Sequence, residues 1–246
     1  MNFNVSNVTK KFKENGIENI NVNFESSDIV GFVGPNGAGK TTTMKSIFGE
    51  YKLDSGQITY GGKKFSDCDP SKVIFLTDQT QLPQFYKVKD YILWTGALYK
   101  LSKEQILERS DFLLNSFNLS EIKNKKIKEL SLGMQKKLSI VLALMAKPEI
   151  IFMDEPTANL DVDARQEILE IIRNLNEKGV GFFITTHIID ELEEIINKLV
   201  IIQDGRILYN DSYDKKNNKI LEIYKKTTVK EIKPINTNLE DLFKMK

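Results

Sequence analysis

The stretch "GPNGAGKTT", Gly34 to Thr42, decides the fold of this 246-residue chain. It matches the pattern G-x-x-x-x-G-K-[ST], whose glycines let backbone N–H groups close around phosphate oxygens. It follows the apolar run "DIVGFVG" and precedes a helical pattern from Thr41 to Phe48. A phosphate-binding loop requires this order of strand, loop and helix, because the helix N-terminus adds its partial positive charge.

Every residue of this loop is a candidate for binding nucleotide. Lys40 supplies a point charge for β- and γ-phosphates, and the Thr41 hydroxyl can ligate Mg²⁺. The alternative is a glycine turn that matches the pattern by chance, which the flanking strand and helix disfavour. The candidates are Gly34, Pro35, Asn36, Gly37, Ala38, Gly39, Lys40, Thr41 and Thr42.

Two adjacent carboxylates end a second apolar strand, "IIFMDEP". Because side chains alternate along a strand, Asp154 and Glu155 face different ways and can serve different tasks. Asp154, at the strand end beside the phosphate loop, suits the Mg²⁺ shell. Glu155 is then free to orient or deprotonate an attacking water, as hydrolysis demands. Alone, such a pair is more often a solvated turn.

The single histidine, His187, follows the apolar strand "VGFFITT" and precedes an amphipathic pattern over residues 188–199, which predicts a helix. A lone histidine is usually a packed or surface residue. Its position at a strand end, however, places it on the sheet edge that carries the phosphate loop, where an imidazole can contact a γ-phosphate.

The first half of the chain contains two kinds of pattern. The first 33 residues alternate as strands, and "SGQITYGGKKF" predicts a hairpin that turns at Gly61–Gly62, so we expect an N-terminal antiparallel β subdomain. Helical spacing then extends from about Lys89 to Ala146, with a capping box at Ser102 and Gln105, and the subdomain that contains it covers about residues 79–145. This block predicts an inserted helical subdomain.

The second half alternates strands and helices, which predicts a parallel sheet with both faces covered. The segment "LVIIQDGRILY" predicts a strand pair turning at Asp204–Gly205. The fold class is therefore α/β, a P-loop NTPase with a parallel-sheet core. We assign residues 1–210 to this domain and residues 211–246 to a C-terminal extension of unclear role.

Composition limits the partners and the compartment. With 35 Lys and Arg against 34 Asp and Glu, the net charge is +1, so no nucleic acid is expected as a partner. One cysteine, Cys68, fits a reducing compartment. The polar N-terminus lacks the apolar core of a secretory signal, so export of the chain is not expected. Its longest apolar run, residues 140–146, is far shorter than the roughly 20 residues that span a bilayer.

Four motifs in fixed order resemble those of the nucleotide-binding subunits of ATP-binding cassette (ABC) transporters. They are the phosphate loop, "LSLGMQKKL" at 130–138, "IIFMDEPTANLD" at 150–161 and "ITTH" at 184–187. The resemblance covers about residues 1–210. It implies the cofactors ATP and Mg²⁺, a second ABC subunit in a homo- or heterodimer, and an integral membrane transport subunit. The chain would then be cytoplasmic, held at the inner face of the membrane by that partner.

The resemblance also implies further nucleotide-binding residues. In the family, the signature segment closes over ATP held by a second subunit, and Ser131 and the N–H of Gly133 match the contacting positions. Asp161 lies in the D-loop part of its motif, and Phe12 resembles the aromatic residue that stacks on adenine. The alternative for the signature segment is a simple helix cap.

Some positions depart from the family pattern. A gapless alignment puts Asp78 where the Q-loop glutamine is expected, with Gln79 one place later, and both are candidate Mg²⁺ ligands. The later "LPQ", ending at Gln84, does not align as the Q-loop. The signature segment also has Leu132 for a glycine and Met134 for a glutamine.

The segment "VKDYILWTGALYKLSKEQI" resembles the helical subdomain of exporter-type subunits, and "NLEDLFKMK" resembles their tails. The resemblance thus implies an ATP-hydrolysing subunit that energises export through ATP-driven closure of a dimer, with Glu155 and His187 as catalytic residues. The rivals are a soluble ABC ATPase of the cluster-assembly type and a degenerate cassette that binds ATP only structurally.

Overall fold

A computed structural model describes residues 1–78, 82–188 and 192–228 of the chain. The strands are β1 Asn2–Lys11, β2 Gly16–Glu25, β3 Ile29–Val33, β4 Ser55–Tyr60, β5 Lys63–Lys64, β6 Val73–Leu76, β7 Ile150–Asp154, β8 Gly181–Thr186, β9 Lys198–Gln203 and β10 Arg206–Ser212. The helices are α1 Lys40–Ile47, α2 Val88–Leu98, α3 Lys103–Ser116, α4 Leu132–Leu144, α5 Val162–Glu177 and α6 Ile220–Thr227.

The central sheet has six strands in the order β10-β9-β3-β8-β7-β6. All neighbours pair in parallel except β9 and β10, which form an antiparallel hairpin. Every residue of β3, β7 and β8 is buried, as continuous apolar runs in a sheet covered on both faces require. The predicted α/β class with a parallel core is confirmed.

The second sheet is antiparallel, with the order β2-β1-β4-β5. Gly61 and Gly62 turn between β4 and β5 with φ of 57° and 80°, so the predicted hairpin is confirmed. This sheet packs on the central one through aromatic rings: Phe152 of β7 lies 5.2 Å from Phe3 and 5.8 Å from Phe24, centroid to centroid. The packing places the antiparallel sheet over one face of the parallel core.

Helices α2, α3 and α4 stand between β6 and β7 in the chain, within the span predicted to be helical. The predicted capping box is confirmed: the Gln105 N–H donates to Ser102 Oγ, and the Ser102 N–H donates to Gln105 Oε1. Gly96 of α2 lets Ile106 of α3 pack closely, because an added Cβ would lie 2.5 Å from Ile106 Cγ1. No helix in the described ranges has the length and apolar character needed to cross a membrane.

The helix expected over residues 188–199 was predicted too long, because β9 already begins at Lys198. Leu192 accepts hydrogen bonds from the N–H groups of Ile195 and Ile196, which makes one turn. Asn197 then pairs with β3, since its Oδ1 accepts from the Ile29 N–H and its own N–H donates to Ile29 O. This pairing ends any helix there. Residues 189–191 lie outside the described part of the chain.

The C-terminal part of the chain continues from the sheet. The predicted domain boundary at residue 210 falls inside β10, and Ile220 of α6 is fully buried in the same core as the helices. The Tyr213 hydroxyl donates to Glu193 Oε1, at 2.9 Å. Residues 229–246, with the tail "NLEDLFKMK", are beyond the described ranges.

Candidate functional site

The loop after β3 has the geometry of a phosphate cradle. Gly37 and Gly39 have φ of 81° and 108°, a region that residues with a side chain rarely adopt. At Gly34 an added Cβ would lie 2.3 Å from Ile202 O, so only glycine lets the backbone pass this close to β9. No side chain caps the N-terminus of α1, which leaves first-turn N–H groups for an anion.

Lys40 is 7% exposed and lies inside this loop. Its Nζ donates to Gly34 O at 2.7 Å and to Pro35 O at 3.3 Å, and it lies 3.8 Å from Glu155 Oε1. Burial lowers the pKa of Lys40, while the carboxylates of Glu155 and Asp154 act in the opposite direction. The ammonium therefore lies between the loop carbonyls and the strand-end carboxylates, and its predicted contact with the β- and γ-phosphates stays a prediction.

Asp154 is 4% exposed at the end of β7 and is held by two hydroxyls. Thr41 Oγ1 donates to its Oδ2 at 3.1 Å, and the Thr185 hydroxyl donates to its Oδ1. Burial raises the pKa of Asp154, the two hydroxyls lower it, and the charges of Asp78 and Glu155 raise it further. Thr185 was missed by the sequence reasoning, although it stands two residues before His187 in the quoted "ITTH".

The donor set fits Mg²⁺, a hard cation that binds oxygen ligands. Thr41 and Asp154 bring a hydroxyl and a buried carboxylate together, and they are two of the four residues predicted to be ligands. A buried carboxylate beside other carboxylates is stabilised in its charged form by a cation. These two residues would hold the metal.

Glu155 follows β7 in the left-handed region, with φ of 48°. Its N–H donates to Thr185 O at 3.0 Å, and its Oε2 lies 2.9 Å from His187 Nδ1. With the carboxylate ionised, Nδ1 carries the hydrogen of this bond. The two residues predicted to be catalytic are thus in direct contact, and both lie at the sheet edge that carries Lys40.

Phe12 lies in the segment between β1 and β2, and its ring is 46% exposed. The ring packs edge-on against Tyr51 at 5.2 Å, and Lys10 Nζ lies 5.3 Å from its centroid. Phe12, Gly37 and Gly205 line one open cleft of about 400 Å³. An accessible ring beside the phosphate loop fits a residue that stacks on a base.

The signature and D-loop candidates occupy helix starts. Ser131 caps α4, where its Oγ accepts from the Met134 N–H at 3.2 Å, and Asp161 caps α5, where its Oδ1 accepts from the Ala164 N–H at 2.8 Å. Gly133 is buried in the first turn of α4, and an added Cβ would lie 3.0 Å from Ala164 Cβ. The Ser131 bond fits the helix-cap alternative for the signature segment, and a contact between these residues and nucleotide stays a prediction.

The region of the expected Q-loop is described in part. Asp78 is exposed after β6, and its charge acts on Asp154 and Lys136. Gln79 lies outside the described residues. Gln84 is turned toward the signature helix, since its Nε2 donates to Gln135 Oε1 at 3.3 Å. Asp78 thus lies near the candidate metal site, and its role as a ligand stays a prediction.

Comparison with known proteins agrees with this geometry. The family described as "ABC transporter" matches residues 17–158. The chain is 31% identical over 211 residues to the lantibiotic transport ATP-binding protein SrtF of Streptococcus pyogenes, covering 85% of this chain and 90% of that protein. It is 31% identical over 225 residues to the bacitracin transport ATP-binding protein BcrA of Bacillus licheniformis, covering 88% and 72%.

Solved structures give the same fold. The ADP conformation of MJ1267, an ATP-binding cassette of an ABC transporter, is similar with a TM-score of 0.78 at 26% identity, covering 91% of this chain and 98% of that one. A nucleotide-free ATP-binding cassette from an ABC transporter is similar with a TM-score of 0.79 at 25% identity, covering 94% and 100%.

Proposed function

The chain belongs to the ABC transporter family as an ATP-binding subunit, and from this premise we propose that it hydrolyses MgATP to drive export through a separate membrane protein. One observation carries the proposal: Lys40, Asp154, Glu155 and His187 meet at one sheet edge, with Nζ 3.8 Å from Glu155 Oε1 and Nδ1 2.9 Å from Glu155 Oε2. A cassette that only bound MgATP would need Asp154 for the metal, but it would not need Glu155 in contact with His187.

In the proposed reaction, a water attacks the γ-phosphorus and the bond to the β–γ bridging oxygen breaks. Glu155 accepts the proton of that water, and its hydrogen bond with His187 holds the carboxylate in place. Lys40 and the N–H groups at the start of α1 stabilise the negative charge of the phosphoryl oxygens. When bound by Thr41 and Asp154, Mg²⁺ would add further charge neutralisation at the phosphates.

The working form is proposed to be a dimer of cassettes. Ser131 and Gly133 would contact the γ-phosphate held by the second subunit, with the dipole of α4 directed at it. Leu132, between Ser131 and Gly133, is 38% exposed, and Val162, next to Asp161, is 77% exposed. These exposed apolar side chains support a face that a second chain covers. ATP binding would close the dimer, and hydrolysis would reopen it.

An exposed aromatic face on the helical block supports a membrane partner. Tyr86, Tyr91 and Trp94 form a row, with ring centroids 6.4 Å and 5.5 Å apart, and Leu98 lies one helical turn further along α2. Tyr86, Trp94 and Leu98 are 54–60% exposed. We propose that this row contacts the membrane subunit, which holds the chain at the inner face of the membrane.

The relatives' names, which refer to the transport of lantibiotics and bacitracin, favour export over the cluster-assembly rival. The test is phosphate release by the purified chain with ATP and Mg²⁺, followed by identification of the protein that co-purifies with it. A hydrophobic multispanning partner supports export. Soluble scaffold proteins would support the rival, and no phosphate release would leave only a nucleotide-binding cassette.

A further inference from the structure

Lys136, in the second turn of α4, is 8% exposed, which is rare for a lysine. A buried ammonium without a partner is strongly unfavourable, so we expect the Lys136 Nζ to have a hydrogen-bond partner. Nζ donates to the backbone carbonyl of Glu155, at 2.9 Å. This bond connects α4, which begins in the signature segment, to the backbone of the residue that carries the catalytic carboxylate.

The peptide that Lys136 holds is unusual. Glu155 has φ of 48°, a conformation that is unfavourable for a non-glycine residue and persists only where its surroundings enforce it. The Glu155 N–H is held by Thr185 of β8, and its carbonyl accepts from both Lys136 Nζ and the Ala158 N–H, the latter at 3.2 Å. Of these three hydrogen-bond partners, Lys136 is the one that belongs to the helical subdomain.

We propose that Lys136 is a positioning residue for hydrolysis, which fixes the turn after β7 so that the Glu155 carboxylate faces His187 and Lys40. This inference rests on the proposed function, because it concerns the same carboxylate. The hydrogen bond from Lys136 also couples the orientation of the Glu155 carboxylate to the position of α4, whose N-cap is Ser131. A shift of the signature segment at the start of α4 would then be transmitted to Glu155 through the Lys136 side chain.

The charges around Lys136 agree with this role. Three carboxylates act on it, those of Asp78, Glu155 and Asp154. Burial lowers the pKa of Lys136, and these carboxylates act in the opposite direction. Its positive charge also balances the like charges that crowd the strand end.

Lys137, the next residue, provides a matched control. Its Nζ pairs with Glu167 of α5 at 2.8 Å, and the Glu167 side chain is 56% exposed. The two lysines thus share a helix and a charge but differ in their partners, which are the Glu155 backbone carbonyl for Lys136 and the Glu167 carboxylate for Lys137. The Lys137 side chain is 13% exposed, but because its carboxylate partner is exposed to solvent, this ion pair is expected to contribute little.

The experiment compares steady-state ATP hydrolysis by Lys136→Met, Lys136→Arg and Lys137→Met with the unmodified chain. Met keeps an unbranched apolar stem, in a side chain one atom shorter than that of Lys, but removes the donor, so kcat is expected to fall about 10- to 100-fold while KM for ATP changes less than about threefold. Arg keeps a charged donor and is expected to recover most of kcat. Lys137→Met is expected to keep both constants within about twofold.

A second variant and a second background guard against misfolding. If Lys136→Met melts well below the unmodified chain, Lys136→Gln decides, because its amide stays polar but is too short to reach Glu155 O in the same way. In a Glu155→Gln background, Lys136→Met is expected to cause no further loss of kcat, since the carboxylate that Lys136 positions is already gone.

Two results would overturn the inference while leaving the proposed function intact: a kcat of Lys136→Met within about twofold of the unmodified chain, or equal losses in Lys136→Met and Lys137→Met. An unmodified chain that releases no phosphate would overturn the proposed function and the inference with it.

Discussion

Replacing Glu155 by glutamine is expected to separate ATP binding from ATP hydrolysis. Glutamine has the same shape but cannot accept the proton of the attacking water, and losing a general base typically lowers kcat about 10²- to 10⁴-fold. At 1.36 kcal/mol for each tenfold change in rate, this is a rise of about 3–5 kcal/mol in the activation barrier.

Binding should behave differently, for a reason that the structure supplies. Glu155 Oε1 lies 3.8 Å from Lys40 Nζ, and both side chains are largely buried, at 17% and 8% exposure. At an effective dielectric constant of about 20, such a pair interacts by about 4 kcal/mol before desolvation is counted. Glutamine removes this competitor for the ammonium, so the Kd for ATP is expected to stay equal or to fall.

The assay pairs phosphate release with equilibrium titration of a fluorescent ATP analogue, on samples of matched purity. Glu167→Gln is the control, because that carboxylate is exposed and pairs with Lys137 on the neighbouring helix. The reasoning is refuted if Glu155→Gln keeps more than about a third of the unmodified kcat, or if its loss is matched by an equal loss of binding.

Three further substitutions test the fold around the site. Gly39→Ala is expected to weaken nucleotide binding by about tenfold or more, since φ is 108° and an added Cβ would lie 2.8 Å from Ile17 Cγ2; nucleotide titration measures this. Phe152→Ala is expected to lower the free energy of unfolding by about 3–5 kcal/mol, because the ring is fully buried; denaturant unfolding measures this. Tyr60→Phe is expected to destabilise the chain by about 1 kcal/mol at neutral pH, because the Tyr60 hydroxyl donates to the partly exposed Glu149 carboxylate. This hydrogen bond lowers the pKa of Glu149 from its usual 4.5, so the stabilisation is present above pH 4.5 and is lost as the pH falls through the folded-state pKa; unfolding at a series of pH values should show the two proteins converging in acid.

Each of these expectations has an opposite result. Unchanged affinity in Gly39→Ala would mean that the loop tolerates a side chain at that φ. A loss below about 1 kcal/mol in Phe152→Ala would mean that the aromatic cluster between the sheets repacks. A constant gap between Tyr60→Phe and the unmodified chain down to acid pH would mean that the Glu149 carboxylate is not the acceptor.

Local patterns explain why much of the fold could be predicted. The hairpin at Gly61–Gly62 and the capping box of Ser102 and Gln105 depend on residues a few positions apart, so their geometry follows from short-range backbone chemistry. The apolar strands β3, β7 and β8 were recognisable because burial on both faces requires continuous apolar runs.

The helix expected over residues 188–199 shows where such patterns stop being sufficient. Leu192, Ile195 and Ile196 have helical spacing, and all three are buried. What ends the turn is Asn197, which pairs with Ile29 far away in the chain. Strand β6 likewise could not be predicted from the sequence pattern, because it has only four residues; its pairing with β7 is what makes it a strand of the sheet.

By itself, the sequence determined the phosphate loop and the strand-end carboxylates, because each depends on a few adjacent residues in a strand–loop–helix unit. The tertiary structure alone decided that His187 contacts Glu155 and that Lys136 is buried with its Nζ bound to the Glu155 carbonyl. These contacts join residues 32 and 19 positions apart. Their geometry follows from strand order and helix packing, which no local pattern encodes.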